Sequence, residues 1–361
     1  MSWGDIMKAA VLHGTNDLRC EQIEIRPVES DEVKIKVMAA GICGSDPPRV
    51  LNNWKYPLPA IPGHEFAGCV VEVGENVSNV KVGDRVVAIP FLPCNECEFC
   101  KRGLFSLCDD HGMLGAKTHG AFAEYTNIKA TNVLNIGDMD YEDAAMIEPL
   151  AVAMHGVLNI KPEVGDTVAV LGSGTLGQLV IQALKVAGVG KVIAVDISEN
   201  KLKEASQVGA DILVNGKEVN TVEKIMELTD GHGVDIALEC AGSKITQEQC
   251  LLIAKKKSKI GYLGIAYSDI HLSEEAFENI FRKELELRGF WNSYSAPFPG
   301  KEWTKSIELV NEGKIKLKEM VSHRFSLEDA YEAFEMIRDR KENFNKILIL
   351  PQGVEVSESC C

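Results

Sequence analysis

The sequence predicts an α/β protein of two domains, a mostly β domain and a doubly wound parallel-sheet domain. The chain has 361 residues, which is too long for one ordinary hydrophobic core. Residues 1 to about 155 contain short β-branched runs between glycines and prolines, whereas strand-like and helical segments alternate from Gly165 onward. We expect one domain over residues 1–155 and 297–361, and the other over residues 156–296.

The first domain is predicted from short apolar runs at both ends of the chain. Early strands are expected at "DEVKIKVMAAGIC", "FAGCVVEVG" and "GDRVVAIP". After about Pro297, helices are expected at "WTKSIELVNEG" and "SLEDAYEAFEMIRD", followed by the strand "KILILP". We expect this last strand to return to the first domain.

The second domain is predicted from alternating strands and helices. Strands are expected at "DTVAVLG", "KVIAVDIS", "DILVNG", "GVDIALECAG" and "SKIGYLGIA", and helices at "TLGQLVIQALKVAG", "ENKLKEASQVGA" and "TVEKIMELT". Such alternation is typical of right-handed βαβ units in a parallel sheet. The strands are largely apolar, as strands covered on both faces must be.

Charge and composition exclude several classes of partner. The formal net charge is −15, which argues against general binding to nucleic acid or anionic membranes. The uncharged stretch from Thr167 to Leu184 is long enough to cross a bilayer, but its three glycines favour a buried strand, turn and helix. The N-terminus has no basic start followed by a long apolar run, so we expect a cytoplasmic protein. A reducing compartment disfavours structural disulfides, so clustered cysteines indicate metal binding or catalysis.

A glycine motif indicates a dinucleotide site. Gly172, Gly174 and Gly177 follow the strand 167–171, and Thr175 and Leu176 begin the next helix. These glycines permit a tight turn, close approach of the backbone to a pyrophosphate, and close packing of the helix.

The end of the next predicted strand indicates which dinucleotide binds. Asp196 lies 19 positions after Gly177, where a carboxylate can bind the adenosine ribose hydroxyls. No arginine follows it in "DISENK", which favours NAD over NADP. The alternative interpretation is that the glycines form ordinary turns and that Asp196 lies at a solvated strand end.

Four cysteines in "FLPCNECEFCKRGLFSLC" predict a structural zinc site. Cys94, Cys97, Cys100 and Cys108 have the spacing C-x2-C-x2-C-x7-C, which suits tetrahedral zinc and leaves no open coordination position. An iron–sulfur ligand set is an alternative, but the bacterial run requires C-x3-C-P after the first three cysteines. A redox pair is a further alternative. A closed site performs no chemistry, so the active centre is expected elsewhere.

Three other segments offer ligands for an open zinc site, which needs three protein ligands and one free position. "GICGSD" supplies Cys43, "PGHEFAG" supplies His64 and Glu65, and "MIEPLAVAMH" supplies Glu148 and His155. Each also has a structural interpretation: a small buried cysteine, a histidine in a turn, or a charge at a helix start. Spacing alone cannot join these segments, because they lie far apart in the sequence.

Over its whole length the chain resembles the zinc-dependent medium-chain alcohol/polyol dehydrogenases. The resemblance rests on "GICGSD" (41–46), "GHEFAG" (63–68), "VGDRV" (82–86), the four-cysteine loop, "EPLAVAMHG" (148–156) and "GSGTLG". It implies a GroES-like catalytic domain, a Rossmann-type NAD domain, two zinc ions per chain, and a homodimer or homotetramer. It further implies an oxidoreductase that passes hydride from a zinc-polarised alcohol to NAD.

The same resemblance assigns roles within the zinc site. It implies that Cys43 and His64 bind the catalytic zinc. Similarity to the sorbitol-dehydrogenase branch implies Glu148 as the third ligand, with Glu65 beside the metal or exchanging onto it. Ser45 resembles the hydroxyl that relays the proton, although helix capping is an equal alternative.

Two segments resemble the family members that oxidise galactitol 1-phosphate to tagatose 6-phosphate with NAD. These are "CGSDPPR" (43–49), in which Pro47 is a departure, and "RKELELRGFWNSYSAPFPGKEW" (282–303). The resemblance implies a phosphate contact, for which Arg49 is the first candidate and Lys117 and Arg282 are weaker. The alternatives are an unphosphorylated polyol, a diol or threonine as substrate, and a non-catalytic protein that binds NAD and zinc.

Overall fold

A computed structural model describes residues 6–266 and 268–354. The chain divides into two compact units, Met1–Pro149 with Tyr294–Cys361, and Leu150–Ser293. The predicted boundaries, at 155/156 and 296/297, therefore lie a few residues beyond those of the units. One continuous helix, residues 147–160, contains both position 149 and the predicted boundary at 155/156, and the predicted domain boundaries remain predictions.

The first unit is mostly β. Its N-terminal part contains β1 (Ile6–Gly14), β2 (Asp17–Glu24), β3 (Glu32–Gly41), α1 (Asp46–Leu51), β4 (Glu65–Val73), β5 (Arg85–Ala88), β6 (Phe91–Leu92), α2 (Glu98–Lys101), β7 (Gly112–Met113), β8 (Tyr125–Lys129), β9 (Val133–Asn135), α3 (Tyr141–Ala145) and α4 (Ile147–Ile160). Short 3₁₀ turns cover Phe105–Leu107 and Ala130–Asn132. Helix α4 is the one that continues into the second unit.

The second unit is a doubly wound α/β domain. It contains β10 (Thr167–Leu171), α5 (Thr175–Ala187), β11 (Lys191–Asp196), α6 (Glu199–Gln207), β12 (Ile212–Asn215), α7 (Thr221–Leu228), β13 (Val234–Glu239), α8 (Lys244–Leu252), β14 (Ala254–Tyr262), α9 (Glu274–Arg282) and β15 (Glu286–Gly289). Within the described residues the strands form one parallel sheet in the order β12-β11-β10-β13-β14-β15, the order of the dinucleotide-binding fold.

The chain then returns to the first unit, as predicted. This part contains α10 (Lys301–Asn311), a 3₁₀ turn (Lys318–Met320), β16 (Val321–Phe325), α11 (Ala330–Asp339) and β17 (Lys346–Ile349). Strand β17 pairs antiparallel with β3, which in turn pairs with β4. The sheet order among the described strands is β16-β17-β3-β4-β5-β9, with β8 also on β3. The C-terminal strand thus lies one strand away from β4.

The core of the first unit joins its early strands to its last helix. Phe66 and Phe122 are fully buried with the side chains of β1 and β3, and the Phe122 ring contacts Phe334 of α11 with centroids 6.2 Å apart. Burial of large aromatic side chains is the main stabilising term in such a core. The early strands therefore depend on the C-terminal segment for a complete core.

The stretch from Thr167 to Leu184 is β10, a turn and part of α5, as its glycines predicted. Among the described residues, no helix is both long and apolar enough to span a membrane. Strand β15 forms one edge of its sheet, and all four of its residues are exposed. The homodimer or homotetramer expected from the sequence remains a prediction.

Candidate functional site

The four cysteines of the predicted structural site lie together. The sulfur atoms of Cys94, Cys97, Cys100 and Cys108 are all within 4.8 Å of one another. Backbone N–H groups donate to these sulfurs, from Cys97 to Cys94 at 3.4 Å, from Cys100 to Cys97 at 3.4 Å and from Cys94 to Cys108 at 3.3 Å. Such donors favour the thiolate form that binds zinc. The group has the composition of a closed, tetrahedral zinc site.

The pKa values in this group show why a metal ion suits it. The N–H of Cys100 lowers the pKa of the Cys97 thiol to about 6, which favours the thiolate. Burial raises the pKa of the Cys100 thiol to about 12. The second thiol needs a positive charge nearby to ionise at neutral pH, and a bound zinc ion supplies that charge.

The four-cysteine loop packs on segment 282–303, one of the two segments that resemble the galactitol 1-phosphate members of the family. Ser106 Oγ donates to the Tyr294 carbonyl at 3.2 Å and accepts from its N–H at 3.1 Å. The Tyr294 ring stacks on Phe91, and Trp303 of α10 is completely buried next to it. The aromatic residues in this part of 282–303 therefore have a structural role in the first unit, which its unusual composition alone did not reveal.

A second group of possible metal ligands contains Cys43, His64 and Glu65. One ligand atom of each lies within 4.8 Å of the others. Cys43 lies in the turn between β3 and α1, His64 directly precedes β4, and Glu65 is the first residue of β4. Pairing of β3 with β4 brings the two segments together, since Gly41 is opposite Glu65 in the register.

Asp46 orients the histidine of this group. Its carboxylate lies 3.5 Å from His64 Nδ1 and accepts a hydrogen bond from the Cys43 N–H at 3.0 Å. A carboxylate on one ring nitrogen leaves the other nitrogen for a metal ion and raises its basicity. Burial opposes protonation of His64, but Asp46 and Cys43 raise its pKa well above the usual value. Asp46 lies within the sequence "GICGSD", but nothing in that sequence alone indicates this role.

A buried lysine holds Glu65. Lys346, the first residue of β17, forms an ion pair with Glu65 in which both side chains are at most 3% exposed. Its ammonium group also donates to the Ile42 carbonyl at 3.0 Å, next to Cys43. Gly41 makes room for the pair, because a methyl group there would lie 2.6 Å from the Lys346 side chain. Sequence reasoning missed Lys346, although a lysine beginning the apolar run "KILILP" was an available signal.

Glu148 lies apart from the three-residue group. It belongs to the first turn of α4 and is buried, and its carboxylate forms no hydrogen bond with the described residues. Burial raises its pKa to about 7, and the charge of His64 opposes this shift. Glu148 is therefore a buried carboxylate whose charge the described side chains compensate only in part. His155, also considered from the sequence, instead contacts Asn159 and the Phe290 ring.

The charge balance of this region suits a divalent cation. Asp46, Glu65 and Glu148 are all buried, and Lys346 is the buried lysine paired among them. Buried carboxylates without sufficient positive charge are strongly disfavoured in a protein interior. A zinc ion bound by the Cys43 thiolate and neighbouring groups would offset the excess negative charge.

Ser45 contacts the cysteine of this group. It directly precedes α1, but its side chain forms no capping hydrogen bond to the helix. Its hydroxyl donates to Cys43 Sγ at 3.3 Å instead. The alternative that Ser45 caps the helix is therefore wrong. Pro47 fits in the first turn of α1, where a missing N–H costs nothing.

The glycine motif has the geometry that a dinucleotide requires. Gly172 has a φ of +99°, and a methyl group there would lie 2.7 Å from Ala241. A methyl group on Gly177 would overlap the Gly172 carbonyl oxygen, whereas Gly174 faces open space with no heavy atom within 4 Å. Thr175 and Leu176 begin α5, so the helix N-terminus follows the turn directly. The backbone at Gly174 is open to a phosphate group.

Asp196 lies beside this turn. One of its carboxylate oxygens accepts a hydrogen bond from the Ser173 N–H at 2.8 Å, and the other accepts from the N–H groups of Ile197 and Ser198. The carboxylate at the end of β11 is thus fixed at the carboxyl edge of the sheet, next to the glycine turn. A contact between the Asp196 carboxylate and the adenosine ribose remains a prediction.

Comparison with known proteins gives the family. Residues 29–138 match the alcohol dehydrogenase GroES-like domain, and residues 175–312 match the zinc-binding dehydrogenase domain. The chain is 36% identical to galactitol 1-phosphate 5-dehydrogenase of Escherichia coli K12, over 89% of this chain and 93% of the relative. It belongs to the medium-chain zinc alcohol/polyol dehydrogenases.

Two further comparisons support this polyol dehydrogenase assignment. Sorbitol dehydrogenase of Bacillus subtilis is 34% identical over 96% of this chain and 97% of its own length. The crystal structure of galactitol-1-phosphate dehydrogenase from Escherichia coli superposes with a TM-score of 0.91 at 34% identity, and the match covers 96% of this chain and all of that one. The prediction of an NAD-dependent zinc oxidoreductase is confirmed over that of a non-catalytic protein. In this dehydrogenase the predicted GroES-like and Rossmann-type domains are also confirmed.

The buried ion pair of this dehydrogenase predicts a large effect on stability. Lys346→Met leaves the Glu65 carboxylate buried without its cation, so the free energy of unfolding should fall by about 3–5 kcal/mol. Urea unfolding of zinc-saturated protein measures this change. The double variant Lys346→Met with Glu65→Gln should recover part of the loss. Lys8→Met, which breaks an exposed pair with Glu328, is the control and should leave stability unchanged. A Lys346→Met protein as stable as the control would contradict this account.

Two substitutions in the glycine turn should have different effects, one on stability and the other on NADH affinity. Gly177→Ala places a methyl group against the Gly172 carbonyl and should lower the melting temperature. Gly174→Ala meets no protein atom and has a φ of −69°, so the protein should fold normally. Its methyl group occupies the open space above the turn, and NADH affinity should fall by about tenfold or more. Melting curves and NADH fluorescence titrations measure both effects. Wild-type NADH affinity in Gly174→Ala would show that this turn does not bind the cofactor.

Proposed function

We propose that this enzyme oxidises a secondary alcohol of a polyol phosphate, galactitol 1-phosphate to tagatose 6-phosphate, with hydride transfer to NAD. The observation that carries the proposal is the charge arrangement around α1. The helix begins at Asp46, which contacts His64 of the metal group, and contains Arg49 three residues later. Arg49 forms no hydrogen bond or ion pair with any described residue, so its guanidinium is available to an anionic group.

Different residues of the chain would bind the metal, orient its ligands and hold a carboxylate beside it. When bound, zinc lowers the pKa of an alcohol, and NAD accepts the hydride. Cys43, His64 and Glu148 would hold the metal, with Asp46 orienting the His64 ring. The ion pair with Lys346 keeps Glu65 beside this site as an exchanging carboxylate.

The proton of the alcohol needs a route away from the site. The Ser45 hydroxyl is 3.3 Å from Cys43 Sγ, so it lies next to a metal ligand without being one. A hydroxyl can both accept and donate a proton, which suits it as a relay. We assign the first proton transfer to Ser45, with Glu65 as a further acceptor beside the metal.

The other two phosphate candidates are already engaged. The Lys117 ammonium donates to the His111 carbonyl, and Arg282 of α9 forms a two-pronged ion pair with Glu278. A cation with a partner must lose it before it binds a phosphate, and this lowers the net gain. Arg49 has no hydrogen bond or ion pair of this kind to give up, and only a charge interaction with Asp46, which supports it as the phosphate contact.

An unphosphorylated polyol is the second candidate substrate. The similarity to sorbitol dehydrogenase covers 96% of this chain, slightly more than the similarity to the Escherichia coli galactitol 1-phosphate enzyme. In that case Arg49 would be a solvated cation beside the site. Measurement of the two substrate classes in parallel separates the alternatives.

The third metal ligand can be identified by metal counting. Glu148→Gln should leave about one zinc per chain, held by the four cysteines, with turnover abolished. Glu65→Gln should retain two zinc ions, because its carboxylate is already paired with Lys346. Elemental analysis of dialysed protein gives the stoichiometry, and melting curves confirm folding. Two zinc ions in Glu148→Gln and one in Glu65→Gln would reverse the assignment.

The phosphate contact can be tested with paired substrates. Arg49→Met should lower kcat/KM for galactitol 1-phosphate by about tenfold or more, because a charge-assisted contact is lost, and should leave kcat/KM for galactitol unchanged. Arg19→Met, which breaks an exposed pair with Asp17, is the control and should affect neither substrate. Equal kcat/KM for galactitol 1-phosphate, galactitol and sorbitol in the unmodified enzyme would exclude the polyol phosphate.

A further inference from the structure

A completely buried glutamate lies outside both metal groups. Glu239 is the last residue of β13 and is 0% exposed. In the described part of the chain no cationic side chain pairs with it. Its Oε1 accepts hydrogen bonds from the N–H groups of Ala241 at 3.0 Å and Gly242 at 2.9 Å, and from Thr246 Oγ1 at 2.6 Å. Neutral donors from the following loop and the first turn of α8 therefore compensate this charge.

These hydrogen bonds fold the loop 240–243 against the glycine turn. The Cys240 N–H donates to the Leu171 carbonyl at 2.8 Å, where β10 ends. Ala241 then lies directly against Gly172, which has no space for a methyl group on that side. The shape of the first glycine turn thus depends on the position of Ala241, and Ala241 depends on the Glu239 carboxylate.

The same loop packs on the segment after β14. The Glu239 carbonyl accepts from the N–H groups of Leu263 at 2.9 Å and Gly264 at 3.0 Å. A side chain on Gly264 would collide with the Glu239 carboxylate, and one on Gly242 would collide with the Ile265 carbonyl. These close approaches leave the three backbones little freedom to move relative to one another.

The loop lies at the edge of the sheet where dinucleotides bind. Strands β10, β13 and β14 are adjacent and parallel, with Leu171 opposite Glu239 and Glu239 opposite Tyr262. Their carboxyl ends therefore meet at one edge, which in doubly wound sheets forms the ligand crevice. Loop 240–243 is a wall of this edge next to the turn that receives the pyrophosphate.

We propose that Glu239 is a positioning residue for NAD, whose buried carboxylate holds loop 240–243 against Gly172 and so fixes the shape of the cofactor site. Without the carboxylate, the N–H groups of Ala241 and Gly242 lose this acceptor, and the Thr246 hydroxyl is left with the Ser243 carbonyl at 2.9 Å. The loop then samples other conformations, and NAD must order it on binding, which lowers affinity.

The proposal is tested by measuring the binding of NADH alone, with the quenching of protein fluorescence as the signal. Glu239→Ala should raise the Kd of NADH by about tenfold or more, with two zinc ions retained. Glu239→Gln should raise the Kd by about threefold at most, because its amide oxygen can occupy the Oε1 position and accept the same three hydrogen bonds, and only the longer 3.2 Å bond from the Gly242 N–H to Oε2 is lost. No polyol is present, so the result is independent of the proposed substrate.

A matched control comes from the opposite end of the same strand. The Asp235 carboxylate accepts a hydrogen bond from the Thr167 N–H of β10 at 2.9 Å and pairs with Lys255. Asp235→Ala should lower the melting temperature without changing the Kd of NADH, because it loosens the edge away from the crevice. An equal rise in Kd for Asp235→Ala and Glu239→Ala would overturn the proposal, since general loosening of the sheet would then explain both.

A milder variant keeps the test decisive if Glu239→Ala does not fold. Thr246→Val removes one of the three donors to Oε1 and leaves the charge in place. It should raise the Kd of NADH by about threefold, and the smaller effect is expected because two donors remain. A wild-type Kd in Thr246→Val, or in folded Glu239→Ala, would show that the carboxylate does not position the cofactor site.

Discussion

The ion pair between Lys346 and Glu65 is the interaction on which the group of Cys43, His64 and Glu65 depends. Two charges withdrawn almost completely from water are tolerated only together. The ammonium group also binds the Ile42 carbonyl, so one side chain fixes both ligand segments, those of Cys43 and Glu65. Gly41 provides the space for it between the two strands. The C-terminal strand is therefore part of the site, although about 280 residues separate Lys346 from Glu65.

The two metal groups differ in the kinds of ligand they contain and in where those ligands come from. The sulfurs of the four cysteines accept hydrogen bonds from backbone N–H groups of their own loop. All four ligands lie within 15 residues, 94–108. The Cys43 group instead takes its residues from the adjoining ends of two paired strands, β3 and β4, and is surrounded by excess carboxylate. A closed sulfur site stabilises the local fold, whereas a site rich in buried negative charge binds a metal strongly while its oxygen ligands can exchange.

Features that neighbouring residues create could be predicted from the sequence, whereas features that strand pairing creates could not. The glycine turn and the four cysteines could be predicted from spacing, because neighbouring residues create both sites. Cys43 and His64 could be associated only through the family resemblance, since strand pairing brings them together. A lysine at the start of an apolar strand was a visible signal for Lys346, but its partner Glu65 and the donors around Glu239 could not be predicted, because folding brings them together. The first domain boundary also has no local signal, because α4 has a helical pattern on both sides of residue 149, where the two units divide.

Three buried glutamates of this enzyme show how surroundings assign a role to one residue type. Glu65 is compensated by a lysine, and Glu239 by three neutral donors. Glu148 has neither a paired cation nor a donor among the described residues, and its pKa is raised to about 7 as a consequence. A buried carboxylate in that state either takes up a proton or binds a cation. The charge of His64 acts on Glu148, which supports our proposal that Glu148 binds the metal, although Glu65 is the carboxylate that lies within 4.8 Å of Cys43 and His64.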